Sequence, residues 1–179
     1  MDAILEAAAR ILETEGIAAL NTNAVAERAG ASIGSLYQYF PGKEALLAAL
    51  IRRERRELIN AIYREQARAP GRDLRSVLDG FIRAALRHQF ERPALARSLE
   101  YAEAILPIDA ETETLKREIV TAVADALRVH GVADPDTAAR DLAALTRGMI
   151  DAAGLFGETE IASLDQRVRR AVYGYLRIL

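Results

Sequence analysis

The residues best suited to chemistry lie close together near the N-terminus, in the stretch AGASIGSLYQYFPGKEALL at positions 29–47. Hydroxyl, phenol and amide side chains stand there beside small residues, just before a Pro-Gly pair. These groups donate and accept hydrogen bonds, but they do not include a catalytic nucleophile next to a general base. Hydrogen-bonding side chains of this kind read base edges and contact phosphates in DNA. We therefore interpret the stretch as a surface that faces another molecule.

Two short helices must position this surface. Thr22 is expected to cap a helix that runs through Ala29, and Gly30 supplies the left-handed conformation of a tight turn. Ser32 is expected to cap the next helix, which ends at Phe40. Two short helices joined by AGAS have the spacing of a helix-turn-helix, whose second helix enters the major groove.

The second of these helices has an inner and an outer face. At about 100° per residue, Leu36 and Phe40 fall together and point inward. Gly34, Ser35 and Gln38 then point outward. Gln38 is the best candidate for reading a base, because its amide can both donate to and accept from an adenine edge. Gly34, which has no side chain, would let the helix backbone approach DNA closely.

The flanks of the same helix carry two phenols, and a lysine follows the Pro-Gly break. The hydroxyls of Tyr37 and Tyr39 can reach phosphate oxygens while their rings pack along the groove wall. Lys43 opens the next helix and suits a phosphate contact.

Helical spacing of apolar residues continues along the rest of the chain. A first helix ends near Gly16, and a long helix runs from Lys43 to about Gln66. Further helices are expected at roughly 73–91, 93–105, 111–130, 135–156 and 161–177. The pattern predicts an all-α protein of about nine helices, with a DNA-binding domain at 1–44 and a second domain at 45–179.

Composition excludes several classes of protein. The 179 residues are 51% hydrophobic and include no cysteine and only two histidines, His88 and His130. Thiol chemistry, disulfides and a Cys/His zinc site are therefore excluded, and neither a metal nor a cofactor is expected. No apolar run is long enough to span a membrane, so we expect a cytoplasmic protein without a membrane partner. With a net charge of −2, any attraction to DNA must be local.

Residues 3 to about 50 closely resemble the DNA-binding domain of the TetR family of bacterial transcriptional repressors. ILEAAARILETEG is similar to the family's first helix, TNAVAERAGAS to its second helix and turn, and IGSLYQYFPGKEALL to its recognition helix. The resemblance implies a homodimer on double-stranded operator DNA, and DNA contacts from one set of residues. That set is Thr22, Ser32, Ile33, Gly34, Ser35, Tyr37, Gln38, Tyr39 and Lys43.

Charge at the N-terminus departs from the family pattern. Many members carry a basic arm before the first helix, whereas this chain has no Arg or Lys before Arg10. Residues 1–50 contain three basic and six acidic side chains. Either a basic arm is missing from this sequence, or the domain binds DNA weakly without one.

The last two helices are more apolar than the terminal helices of a monomer need to be. The helix at 135–156 has one face of larger residues and one of smaller residues, and we expect the smaller face to meet a partner. Together with the last helix it should form a four-helix bundle between two chains, as the family resemblance implies. The expected interface consists of Ala139, Ala143, Ile150, Gly154, Leu164, Val168, Val172 and Tyr175.

A cavity for a small-molecule effector is expected among helices four to eight, where apolar residues mix with the scattered polar groups His88, Tyr101 and Arg147. The candidate lining is Ile59, Ile62, Tyr63, Phe81, His88, Leu99, Tyr101, Leu145, Met149 and Phe156. An ordinary core would have the same composition, and His88 is more readily a partly exposed or hydrogen-bonded core histidine than a ligand-binding group. Asp109, Glu111 and Glu113 could suggest a cation site, but an acidic start of a helix explains them.

The sequence therefore predicts a one-component transcriptional regulator, most simply a repressor that binds a palindromic operator as a dimer and that a small effector releases. The competing class is a ligand carrier or enzyme built on a helical bundle. An enzyme would require a convergent set of titratable groups, and no nucleophile, metal or phosphate-loop motif occurs in the sequence.

Overall fold

The computed structural model describes residues 1–107 and 110–178, and this part of the chain folds into helices with no strand. Asp109 of the acidic helix start, and Leu179, lie outside the described residues. The helices are α1 Asp2–Thr14, α2 Thr22–Ala29, α3 Ile33–Tyr39, α4 Lys43–Ala67, α5 Leu74–Glu91, α6 Pro93–Ile105, α7 Ala110–Val129, α8 Pro135–Leu155 and α9 Ile161–Leu176. The predicted all-α class and the number of helices are confirmed for the described residues.

The chain divides into two compact units. Unit 1 comprises Met1–Glu54 and Arg92–Thr112, and unit 2 comprises Arg55–Glu91 and Glu113–Leu179. The single helix α4 begins in unit 1 and ends in unit 2. This division groups α6 with the N-terminal helices. The domain boundary expected from the sequence, at residue 44, instead places α6 in the second domain.

Unit 1 has a core of aliphatic side chains from α1, α2, α3, the start of α4 and α6. Ala8 and Leu12 of α1, Leu36 of α3 and Leu50 of α4 are fully buried in it. The apolar positions on α1 recur three and four residues apart, so they form one stripe that faces this core. The core fixes the position of α3, because Leu36 anchors the middle of that short helix.

Arg92, at the start of α6, holds this helix against α1. Its Nε donates to Glu13 Oε1 at 2.6 Å and its Nη1 donates to Glu6 Oε2 at 3.1 Å. The hydrogen bond from Arg92 lowers the pKa of Glu13 below its ordinary value. Burial alone would raise the pKa of Glu6, but the hydrogen bonds and charges of neighbouring arginines, chiefly Arg92, outweigh burial and lower it.

Unit 2 packs α5, α7, α8 and α9 with the second half of α4 around its own apolar core. A polar cluster joins α5 to α9 beside that core. Asp79 accepts a hydrogen bond from the Tyr173 hydroxyl and forms an ion pair with Arg169, and the Arg75 guanidinium lies 4.4 Å from the centre of the Tyr173 ring. None of the helices in the described ranges is both long and apolar enough to cross a membrane.

Candidate DNA-recognition surface and ligand cavity

The turn between α2 and α3 is built by local hydrogen bonds. Asn21, rather than the predicted Thr22, caps α2: its Oδ1 accepts from the Ala24 N–H at 2.9 Å. Sequence reasoning misplaced the cap by one residue because both side chains can serve. Gly30 ends α2 with φ +63°, which is the left-handed conformation predicted for it.

Ser32 caps α3, as predicted. Its Oγ accepts from the Ser35 N–H at 3.1 Å and also donates to Ser35 Oγ at 2.7 Å. Leu36 and Phe40 are buried, which confirms the inner face of α3. The cap and the two buried anchors together determine which residues of α3 face outward.

The outer face of α3 is exposed, as the helical wheel predicted. Gly34, Ser35, Gln38 and both tyrosines are exposed, with Tyr39 at 60%. A Cβ added at Gly34 would have no neighbouring atom within 4 Å, so folding of this chain does not require a glycine there. Ile33, at the first position of α3, is also exposed, at 40%.

Thr22 and Tyr37 are coupled to each other. Thr22 Oγ1 donates to the Tyr37 hydroxyl oxygen at 3.1 Å, and only 8% of Thr22 is exposed. The Tyr37 phenol is therefore held by α2 while half of its surface stays exposed. This contact could not be predicted from local sequence, because it joins residues 15 apart on two helices.

Lys43 makes a specific contact within unit 1. It is partly buried, and its Nζ donates to the Ile17 carbonyl oxygen in the loop after α1. The other basic side chains that precede α4, Arg10 and Arg28, form ion pairs with Glu6 at 3.2 Å and Glu15 at 3.0 Å. The exposed face of α3 is therefore a polar, nearly uncharged surface.

Unit 2 contains a cavity of about 410 Å³, a size typical of small-molecule sites. Three of the ten predicted lining residues, Ile62, Phe81 and His88, do line it. The cavity also takes residues that the sequence did not single out for it. They are Arg55, Leu58, Leu78, Ile82, Ala85, Gln89, Lys116, Ile119, Val120, Val123, Arg140, Leu142, Ala143, Ala144, Thr146, Ile150, Asp151 and Val172. Arg147, one of the polar groups expected there from the sequence, also lines the cavity.

The other seven predicted lining residues lie elsewhere, which corrects their assignment. Ile59 is buried in the core of unit 2, and Tyr63 is 43% exposed on α4. Leu99 and Tyr101 belong to α6 in unit 1, where Leu99 enters the core and Tyr101 is exposed. The remaining three line a separate shallow depression: Leu145, Met149 and Phe156. Hydrophobicity alone could not separate core, surface and cavity.

His88 is the titratable group in the cavity whose pKa departs most from its ordinary value. Burial, and next the positive charge of Arg55, lowers the pKa of His88 to about 4. The imidazole is consequently neutral at neutral pH. No group of three or more metal-ligating side chains occurs among the described residues.

The small-residue face of α8 points inward rather than outward, which reverses the prediction for that helix. Ala139 and Ile150 are buried in the core of unit 2, and so are three residues of α9 that were expected at a dimer interface: Leu164, Val168 and Val172. Ala143 lines the cavity and Gly154 approaches the side chain of Gln89. Close packing between helices of the same chain uses these small side chains.

The opposite face of α8 is the one open to solvent. Leu145, Gly148, Met149, Ala152 and Phe156 line the shallow depression there, and Phe156 is 84% exposed. On α9, Tyr175 is the one predicted interface residue that remains accessible, and its hydroxyl donates to Asp141 Oδ2 at 2.5 Å.

Two protein families match most of this chain. The family described as "Bacterial regulatory proteins, tetR family" matches residues 4–50, and "Tetracyclin repressor-like, C-terminal domain" matches residues 73–176. An HTH-type transcriptional regulator of Mycobacterium tuberculosis is 34% identical over 140 residues, which cover 78% of this chain and 67% of that protein.

The HTH-type transcriptional repressor KstR of Rhodococcus jostii is 32% identical over 101 residues. That match covers 56% of this chain, and this chain spans about half the length of the repressor, 48%. Among solved structures, a TetR regulator from Rhodococcus sp. RHA1 aligns over 98% of this chain and 94% of its own with a TM-score of 0.69 and 24% identity. FadR of Bacillus halodurans, a fatty acid degradation regulator, aligns over 97% of each chain with a TM-score of 0.76 and 15% identity.

Proposed function

This chain belongs to the TetR family of bacterial transcriptional regulators, and from that premise we propose that it is a ligand-responsive repressor. It binds a palindromic operator as a homodimer, and a small-molecule effector releases it. Residues 1–44 bind DNA, and residues 45–179 bind the effector and the second subunit. As a member of this family the chain is a transcriptional regulator and not an enzyme.

The observation that carries the proposal is the exposed outer face of α3 above a buried Leu36. Gln38 reads a base, and the glycine at position 34 lets the backbone come close to the groove. Ser32, Ile33, Ser35 and Tyr39 approach bases or the adjoining backbone.

Three further residues contact phosphates in this proposal: Thr22, Tyr37 and Lys43. The buried Thr22 acts mainly through Tyr37, whose hydroxyl it contacts. Phosphate contacts position the protein on DNA and carry no sequence information directly. Few cationic side chains lie near α3. Specificity for the operator therefore depends more on contacts with the bases than on attraction between charged side chains and DNA.

A dimer supports operator binding, since one helix-turn-helix contacts too little DNA by itself. The face that remains available on α8 is apolar, with Leu145, Met149 and Phe156 around a strip of small residues. Arg167 pairs with Glu158 at the edge of the same depression. We assign the subunit contact to this face together with Tyr175 on α9.

Helix α4 supplies the connection between effector and operator. It starts at Lys43, three residues after Phe40, and it carries Arg55, Leu58 and Ile62 at the cavity. An effector that favours a different position of α4 would move the two recognition helices of a dimer. A tenfold loss of operator affinity requires a coupling free energy of about 1.4 kcal/mol.

The test is selection of bound sequences from random duplex DNA by the full chain. The expected result is an inverted repeat whose half-sites lie roughly 34 to 36 Å apart, or somewhat farther in a widened site. Selected sequences without two-fold symmetry, or a monomeric protein at micromolar concentration, would contradict the dimeric operator complex. Effectors are then identified as small molecules that lower affinity for the selected DNA.

A further inference from the structure

We propose that the cavity in unit 2 takes an uncharged, largely apolar molecule with one hydroxyl or carbonyl group, and that this group makes a hydrogen bond with His88. This inference rests on the proposed effector role and deepens it. It names the chemistry of the ligand, which neither the fold nor the likeness to known regulators specifies.

The apolar part of the cavity sets the character of most of the ligand. Aliphatic and aromatic side chains from α4, α5, α7, α8 and α9 form the greater part of the lining. Leu58, Phe81, Ile119 and Val123 are examples from three of these helices. Such a surface is stabilised by contact with hydrocarbon and gains nothing from a strongly hydrated ligand.

Two cations of the lining are already engaged with carboxylates of the chain. Arg147 Nε donates to Asp151 Oδ2 at 3.1 Å, and Asp151 is the one carboxylate among the described lining residues. Lys116 Nζ lies 4.0 Å from Glu113 Oε1. Both cations also have further interactions within the chain. A charged group on the ligand would therefore compete with contacts that these side chains already make.

Arg55 and Arg140 complete the cations of the described lining, and neither favours a charged ligand. Arg55 interacts with other groups of the chain. Arg140 is exposed to solvent and donates to Thr137 Oγ1 at 2.8 Å, so water hydrates its charge. Moving an ionised head group from water into an apolar cavity costs free energy, which only new ion pairs or hydrogen bonds offset. The lining therefore favours an uncharged ligand.

His88 is the polar group of the lining that a ligand can satisfy. The imidazole is partly buried and makes no hydrogen bond to any described residue. Burial, and next the charge of Arg55, lowers its pKa to about 4, so the ring is neutral at pH 7. A neutral imidazole has one N–H donor and one acceptor nitrogen. It can donate to a carbonyl oxygen, and it can donate to or accept from a hydroxyl.

Thr146 on α8 adds a second neutral group to the same cavity. Its side chain belongs to the lining, and no hydrogen bond between described residues uses its hydroxyl. The cavity thus presents two uncharged hydrogen-bonding groups, on α5 and α8, within an otherwise apolar wall. A site of this kind discriminates against an analogue that lacks the polar atom, because the groups of the site are then left unpaired.

The experiment compares five probes that share a naphthalene ring: naphthalene, naphthol, acetylnaphthalene, naphthoate and naphthylmethylammonium. All substituents are at the same ring position, and affinities for the full chain are measured by fluorescence titration at pH 7. We expect naphthol, acetylnaphthalene or both to bind about fivefold more tightly than naphthalene. The two charged probes should bind at least about tenfold more weakly than the better of these.

Substitution of His88 connects this preference to the imidazole. His88→Phe keeps an aromatic ring at the cavity and removes both nitrogens. It should abolish the advantage of the oxygen-bearing probes over naphthalene and leave the affinity for naphthalene nearly unchanged. The matched control is His130→Phe, which removes the other imidazole, outside the cavity lining, and should preserve the advantage. Thermal unfolding verifies that each variant is folded.

Nitrogen NMR of the unaltered protein provides a second measurement that does not depend on a variant. The ring nitrogens of His88 should shift more with the preferred oxygen-bearing probe than with naphthalene, because only the former makes a hydrogen bond. The ring nitrogens of His130 should respond equally to the two probes.

The outcomes separate this inference from the proposed function. Binding of no probe, equal binding of naphthalene and both oxygen-bearing probes, or tightest binding of a charged probe would overturn the uncharged, hydrogen-bonding ligand class. An advantage that persists in His88→Phe, or His88 nitrogens that do not distinguish the probes, would overturn the role of His88. If the advantage depends on His88 but operator affinity does not change at saturation, the ligand class stands and the effector role fails.

Discussion

At the scale of single residues, we propose that the exposed side chains of α3 and its neighbours divide into groups that read sequence and groups that hold position. Gln38 is exposed on α3, and the structure gives its amide no role in folding. Lys43 and Tyr37 are instead tied to the chain by hydrogen bonds to the Ile17 carbonyl and to Thr22. Substitutions at these positions should therefore have different kinds of effect on DNA binding, and not only effects of different size.

Gln38→Ala should relax the preference at one or two base positions and weaken binding to the selected operator by about 1 to 3 kcal/mol. The physical reason is the loss of paired hydrogen bonds at a base edge. Competition binding with single-base variants of the operator measures it. Gln166→Ala on α9 is the matched control, and an unchanged base preference in Gln38→Ala would contradict the assignment.

Lys43→Ala should weaken binding to all DNA sequences evenly. It should also lower the slope of log affinity against log salt concentration by about one. It should also cost about 1 to 3 kcal/mol of folding stability if the Ile17 carbonyl is left without a partner. Affinity at several salt concentrations and urea unfolding separate the two effects. A changed base preference with an unchanged slope would show that Lys43 does not act on phosphate.

The two histidines should respond to pH in opposite directions. Both ring nitrogens of His130 face carbonyl oxygens, with Nδ1 2.7 Å from Ala126 O and Nε2 3.0 Å from Arg72 O. Both contacts can be hydrogen bonds only if both nitrogens carry protons, and these bonds raise the pKa of His130 above 6.5. The pKa of His88 is instead lowered to about 4.

The stabilisation by His130 is complete below pH 6.5 and is lost as the pH rises through its raised pKa. His88 acts in reverse, because its contribution is present above pH 6.5 and is lost as the pH falls toward 4. His130→Gln should therefore reduce stability more at pH 5.5 than at pH 8.5. Urea unfolding at the two pH values tests this, and His88→Gln assigns the two imidazole resonances in an NMR titration. An equal loss at both pH values would contradict the charged state of His130.

At the scale of elements, the ion pairs of Arg92 determine the position of α6. Arg92→Met should lower stability by about 1 to 2 kcal/mol, because Glu6 and Glu13 lose their shared partner. The pKa values of both carboxyls are lowered in the folded protein, so this stabilisation is present above about pH 4.5 and declines as the pH falls. The control is Arg97→Met, since Arg97 is exposed on the same helix. Equal losses of stability in the two variants would show that the ion pairs are not the cause.

At the scale of the whole molecule, the proposed dimer depends on the exposed face of α8. A Cβ added at Gly148 meets no atom within 4 Å, so the single chain can accept a large side chain there. Gly148→Arg should leave the fold intact and convert the protein to a monomer, since the new side chain would occupy the partner's place. Sedimentation velocity measures the change, with Gln166→Arg as the control. A dimer that survives in Gly148→Arg would move the interface to another face.

The sequence by itself determined the helices and the exposed face of α3, and the tertiary structure decided where the apolar residues of the second half of the chain lie. Caps such as Ser32, the turn at Gly30 and the inward pair Leu36 and Phe40 depend on residues a few positions apart, so local pattern is sufficient for them. The inner face of α8, the grouping of α6 with unit 1 and the lining of the cavity depend on contacts between distant residues. An alanine or isoleucine has the same local signature in a core, a cavity wall or an interface, and only packing distinguishes these places.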